Sequence, residues 1–148
     1  MRRLAKFLRL SASEKIFLIE AAVGLAFARL ALAALPFRWI APLLDDHGTQ
    51  PRPKTEIQDA GVAERVRWAV QTANWHLPWQ STCLAEAIVG KLMLKRRRVG
   101  STLCLGVAKD EDHKPAYHAW LRSGDTVVAG DHMNESYTVI ATFGQAEQ

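Results

Sequence analysis

Apolar residues fill most of the circumference of one long predicted helix near the start of the chain. Between Ile16 and Leu35 only Glu20 and Arg29 are charged. Ser11 or Ser13 can cap the N-terminal end, and Pro36 closes the other. The pattern next predicts a short second piece over Phe37 to Leu44, broken by Pro42, and then a linker or loop from Asp45 to Gln58, where Asp, Gly and Pro gather. Asp59 caps a further helix in which Val62, Val66, Ala69 and Ala73 recur at helical spacing, and Pro78 ends it by Leu77. The link Trp75-His76-Leu77-Pro78-Trp79 leads into a helix opened by Cys83. There Ser81 or Thr82 supplies the cap, Glu86 lies early and Lys95-Arg96-Arg97-Arg98 lies late, an order that agrees with the helix dipole. Strand-like runs follow over Thr102–Ala108, Ala116–Ser123, Thr126–Asp131 and Tyr137–Phe143, with Lys109–Lys114 as a charged connection. The expected class is α+β: N-terminal helices (1–44), a linker (45–58) and a core (59–148) in which the cysteine helix packs on a small antiparallel sheet, all of it also readable as one continuous domain, 1–148.

A cysteine that opens a helix, followed by a histidine on a later strand, is the layout of a thiol nucleophile with its base. Cys83 and His118 occupy those places. At the start of a helix the unpaired N–H groups and the positive end of the dipole favour an anionic sulfur, and the same N–H groups can hold an oxyanion. Gln80, three residues earlier, is a candidate side-chain donor. Gly124-Asp125 suits a two-residue type II′ hairpin turn. That turn would pair Ser123 with Thr126, Trp120 with Ala129 and His118 with Asp131, the last two with Cβ atoms about 4.5–5.5 Å apart. Asp131 is therefore the expected orienter of His118, while Asp125 would stand at the turn tip. Trp75, Trp79 and Trp120 are candidate walls of a substrate groove, although large aromatics beside a nucleophile are equally ordinary core residues.

Composition narrows the remaining classes. A chain of 148 residues with 49% hydrophobic and 23% charged residues is one globular domain's worth. Two cysteines are too few for a disulfide framework, Cys104 reads as one more apolar strand residue, and a cytoplasmic location is expected. The net charge of +4 gathers at Arg2, Arg3, Lys6 and Arg9 and at residues 95–98. The second cluster is explained by its place at a helix C-terminus; as a surface it would suit an acidic peptide better than nucleic acid, since no aromatic interleaving accompanies it. Glu20 and Arg29 lie near opposite sides of the long apolar helix and make a lipid-facing span costly. With no secretory cleavage signal after it, the helix reads as buried or partner-covered rather than as a membrane element. His76 lacks ligand spacing to another His or Cys, so no metal is expected, and no glycine-rich phosphate loop calls for a nucleotide cofactor.

The succession Ser-Thr-Cys83-Leu-Ala-Glu-Ala, Leu-Cys-Leu-Gly-Val, His118-Ala-Trp-Leu-Arg and Tyr-Thr-Val-Ile-Ala-Thr-Phe, preceded by Phe7-Leu8-Arg9-Leu10 and Leu35-Pro36-Phe37-Arg38, resembles the transglutaminase-like B2 proteins of lasso peptide biosynthesis. The resemblance implies a papain-like cysteine protease, without cofactor, that removes the leader from a ribosomal precursor. It further implies two partners: a small leader-binding recognition protein of the B1 type, and an ATP-dependent cyclase that closes the ring. By position, Cys83 corresponds to the nucleophile and His118 to the base. Some relatives carry the acid one residue closer to the histidine, where this chain has Gly130, so Asp131 needs a one-residue shift. Asp112, Asp125 and a backbone carbonyl are the other candidates for that role. The same thiol and base also serve acyl transfer to an amine, and a non-catalytic scaffold is the reading from a different class.

Overall fold

The computed structural model describes residues 2–45, 56–130 and 137–144. Among these residues five helices precede four strands: α1 (Arg2–Leu8), α2 (Ala12–Ala34), α3 (Phe37–Leu44), α4 (Glu56–His76), α5 (Cys83–Arg96), β1 (Thr102–Lys109), β2 (Pro115–Ser123), β3 (Thr126–Ala129) and β4 (Thr138–Gly144). Ser11 caps α2 through a reciprocal capping box with Glu14, at 2.8 and 3.2 Å. Three local expectations are corrected. Pro42 does not break α3, which runs through it and ends two residues later; only one helical hydrogen bond is forfeited so near the C-terminus. Asp59 is not a cap, because α4 already starts at Glu56 and places it in the first turn. The basic N-terminal segment, not anticipated as structured, forms α1. Most of the expected linker lies outside the described residues.

All strands are antiparallel, in the order β3-β2-β1-β4. One face of the sheet carries α5, with β2 at the centre of the contact; α4 covers β3, and α2 lies across α4 and α5. Apolar residues of all these elements form one core, including Leu25, Val66, Val70, Leu94, Leu103, Leu121 and Val128. Close approach of α5 to the sheet depends on Gly90, since a Cβ there would stand 2.8 Å from Leu121 Cδ2. Buried Lys91 donates its ammonium to the Ser101 carbonyl, and the Ser123 hydroxyl donates to Gly100 O at 2.7 Å. Both bonds fix the turn from α5 into β1.

The basic run at the end of α5 is largely occupied within the fold. Lys95 donates to the carbonyls of Leu43 and Asp45, and Arg97 forks onto Glu20 of α2 at 2.6 and 3.1 Å while lying 4.1 Å over the Phe17 ring. Arg96 Nε adds an ion pair to Glu20 at 3.5 Å. The helix-end explanation is thereby extended: three of the four cations tie the end of α5 to α2 and α3.

Candidate active site

Thr82 caps α5 by accepting from Ala85 N at 3.2 Å, and its carbonyl accepts from Glu86 N at 3.1 Å. Helix geometry leaves the N–H groups of Cys83 and Leu84 without an intrahelical acceptor. They lie at the positive end of the dipole, beside the thiol. Asn74, near the end of α4, fixes the approach to this turn: its Oδ1 accepts from Ser81 N at 3.1 Å, and its Nδ2 donates to Glu86 Oε1 at 2.7 Å. A single amide thus ties α4, the segment before the cysteine and α5 together.

Cys83 and His118 line the same cavity, of about 350 Å³, with Gln71, Asn74, Trp75, Glu86, Ala129 and Gly130. Trp75 is 84% exposed at this site. Among the described residues no hydrogen bond joins the thiol to the imidazole, a looseness common in catalytic pairs before substrate binds. Among the described residues, three contacts define the setting of the His118 ring. It stacks on Trp120 with centroids 6.1 Å apart, lies 5.2 Å from the Tyr137 ring, and places Nε2 3.2 Å from Gly130 O. A carbonyl only accepts, so Nε2 carries the proton in that bond and Nδ1 is left as the basic nitrogen.

The hairpin departs from the expected pairing beyond its turn. Ser123 does pair with Thr126, and Gly124 has φ +57° while Asp125 has no positive φ, as type II′ requires. Arg122 then faces Val127 but Leu121 faces Ala129, so Val128 is an extra residue, a β-bulge. The pairing of Trp120 with Ala129 is therefore corrected by one residue. The register that led from His118 to Asp131 no longer follows from the turn alone, and Asp131 itself lies outside the described residues. Gly130 has φ +79°, and a Cβ there would stand 2.5 Å from Ala119 O. No side chain fits at that position, so an acid one residue nearer the histidine is incompatible with this backbone. Asp112 and Asp125 stand in the exposed turns at either end of β2.

The remaining expected site residues lie off the cavity wall. Gln80 is exposed; Trp79 is half-buried, its ring 5.4 Å from the Arg29 guanidinium; Trp120 is buried beneath His118. Of the residues α4 contributes, sequence reasoning had Trp75 as a possible groove wall but missed Gln71 and Asn74. Gln71, Asn74 and Trp75 share one helical face, a spacing visible in the sequence, but only the crossing of α4 with α5 aims that face at the cysteine. Cys104 is distinct from Cys83: burial pushes its thiol above the ordinary value of 9.0, with Arg122 pulling partly back. Among the described residues no cluster of three or more His, Cys, Asp or Glu side chains is disposed to hold a metal.

The α+β arrangement of helices on a four-stranded antiparallel sheet agrees with what comparison with protein families finds. Residues 31–142 match the model of the transglutaminase-like superfamily. The chain belongs to that superfamily, which includes cysteine peptidases and acyltransferases. No curated protein and no solved structure matches it.

Proposed function

We propose that this chain is a cysteine peptidase that removes the leader from a ribosomally made precursor of the lasso peptide type, acting in the cytoplasm. The observation that carries the reading is the shared cavity of Cys83, in the first turn of α5, and His118. His118 Nδ1 takes the thiol proton, and the sulfur attacks the scissile carbonyl. The oxyanion lies against the N–H groups of Cys83 and Leu84. The imidazolium returns its proton to the leaving amine, which departs with the C–N electron pair and leaves a thioester. Water then attacks the thioester, with His118 again as base, and frees the leader's carboxylate and the thiol. In this reading the Gly130 carbonyl holds His118 in the tautomer that leaves Nδ1 basic, and Asp131, next in the chain, is the acid that balances the charge of the imidazolium. The exposed ring of Trp75 offers a surface for the extended substrate. The partners it entails are the precursor leader, a small leader-binding protein and an ATP-dependent cyclase; nucleic acid, metal and cofactor play no part.

The resemblance in the Cys83 and His118 segments supports the peptidase over the acyltransferase, which shares every step up to the thioester. Incubation of precursor with the enzyme, with and without a primary amine, separates them by product mass. Free leader carboxylate in both samples is the expected result. Amine-capped leader as the main product would transfer the assignment to acyl transfer, and processing by Cys83→Ala would leave only a scaffold.

A further inference from the structure

α2 presents two opposite faces. At 100° per residue, Ala21, Leu25 and Ala28 fall within about 60° of arc and are buried against α4 and α5. Ala12, Ile16, Ile19, Val23, Phe27, Leu30 and Ala34 fall within about 80° on the other side, and all are exposed, Phe27 to 68% and Leu30 to 66%. No polar side chain interrupts this strip, which is about 33 Å long at 1.5 Å per residue. Glu20 flanks it and is engaged by Arg97. Most of the strip precedes residue 31, where the superfamily match begins.

α1 repeats the division on a smaller scale. Leu4 and Leu8 lie together and exposed on one side, while Arg2, Arg3 and Lys6 occupy the other, with Arg9 following. No acidic residue occurs before Glu14. Lys15 holds α1 to the start of α2, donating to Leu8 O at 3.3 Å with its ammonium 6.0 Å over the Phe7 ring.

We propose that α1 and the outer face of α2 dock on an anionic lipid bilayer, lying along its surface rather than crossing it. By length and composition α2 is apolar enough to cross. Its inner face, however, belongs to the domain core, and the Glu20–Arg97 pair would have to be drawn into hydrocarbon with it. A protein partner would need about one hydrogen bond per 100–200 Å² of contact, and the side chains of this strip offer none. Acyl chains need none, and the unbalanced cations of α1 match anionic headgroups. The sequence-based argument against a membrane element thus holds for a span and not for a surface helix.

Sedimentation of the full chain with vesicles tests this. Binding is expected to phosphatidylcholine–phosphatidylglycerol vesicles, weakened by 0.5 M salt, and not to phosphatidylcholine alone. Neutralising two cations in Arg2→Gln/Lys6→Gln should weaken it about 30-fold. Phe27→Asp/Leu30→Asp should weaken it at least about tenfold, with circular dichroism and melting temperature unchanged. Four results would each overturn the proposal: no binding to anionic vesicles, undiminished binding by the glutamine variant, binding that resists extraction at pH 11 as a spanning helix does, or a stable dimer that Phe27→Asp dissociates. Saturation of the face by a leader-binding protein, with no vesicle binding, would replace lipid with that partner.

Discussion

α2 and α5 are both capped, both apolar and packed against each other, yet they use their apolar residues differently. α5 has 14 residues and buries eight of them, including Ile88, Val89 and Leu94, because it lies between the sheet, α4 and α2. α2 has 23 residues and buries three. The shorter helix is enclosed and presents its N-terminal turn to a cavity, whereas the longer one is a wall with an apolar exterior. Hydropathy alone does not separate the two cases; the number of covering elements does.

The largest effect should come from the first turn of α5. Cys83→Ala is expected to lower precursor cleavage by roughly 10⁴-fold or more, as loss of a nucleophile does in a related constellation, while the melting temperature stays near that of the parent. Mass-resolved cleavage assays check this, with Cys104→Ala as the active control. Next come the inward faces of both helices, where the comparison predicts equality. Leu94→Ala and Leu25→Ala each remove a fully buried side chain and should each cost about 2–5 kcal/mol in denaturant unfolding. A much smaller loss at Leu25 would mean that α2 is only loosely attached.

These differences were unevenly legible in the sequence. α5 was readable because Thr82, Cys83, Glu86 and the late basic run all agree on its ends. The hairpin turn was readable from Gly124-Asp125. The bulge was not: Val127 and Val128 are both apolar, so strict alternation offered no sign that one of them is extra. Gly130 was the available hint, since a glycine closing a strand-like run often marks a positive φ. The bridge from Asn74 to Glu86 and Ser81 depends on how two helices cross, which no local pattern encodes. The exposure of half of α2 was hidden for the opposite reason: a helix apolar almost all round gives no indication of which side faces the core.

A smaller effect joins the two helices directly. Arg97 and Glu20 are each under one-fifth exposed and form a forked pair, so Arg97→Met should cost about 1–3 kcal/mol in the same unfolding assay by leaving Glu20 without its main partner. A neutral result would show that the stacking on Phe17 and the apolar contact between α2 and α5 suffice. In the sheet, the thiol of Cys104 should be alkylated in the folded chain with a pH profile whose inflection lies above 9.0, because burial favours its neutral form; in urea the inflection should fall back to that value.

The smallest change in stability should come from the outer face of α2. Phe27 is 68% exposed, so replacing it by serine removes little buried area and leaves no cavity. Serine is a somewhat poorer helix former than Ala or Leu but close to phenylalanine, so the propensity term nearly cancels. Phe27→Ser should therefore unfold within about 0.5 kcal/mol of the parent, in contrast to the loss at Leu25 two residues earlier on the opposite face. A loss of 2 kcal/mol or more would show that Phe27 is covered in the folded molecule in solution. The outer face of α2 would then be an internal or self-associating surface, and the contrast between the two helices would disappear.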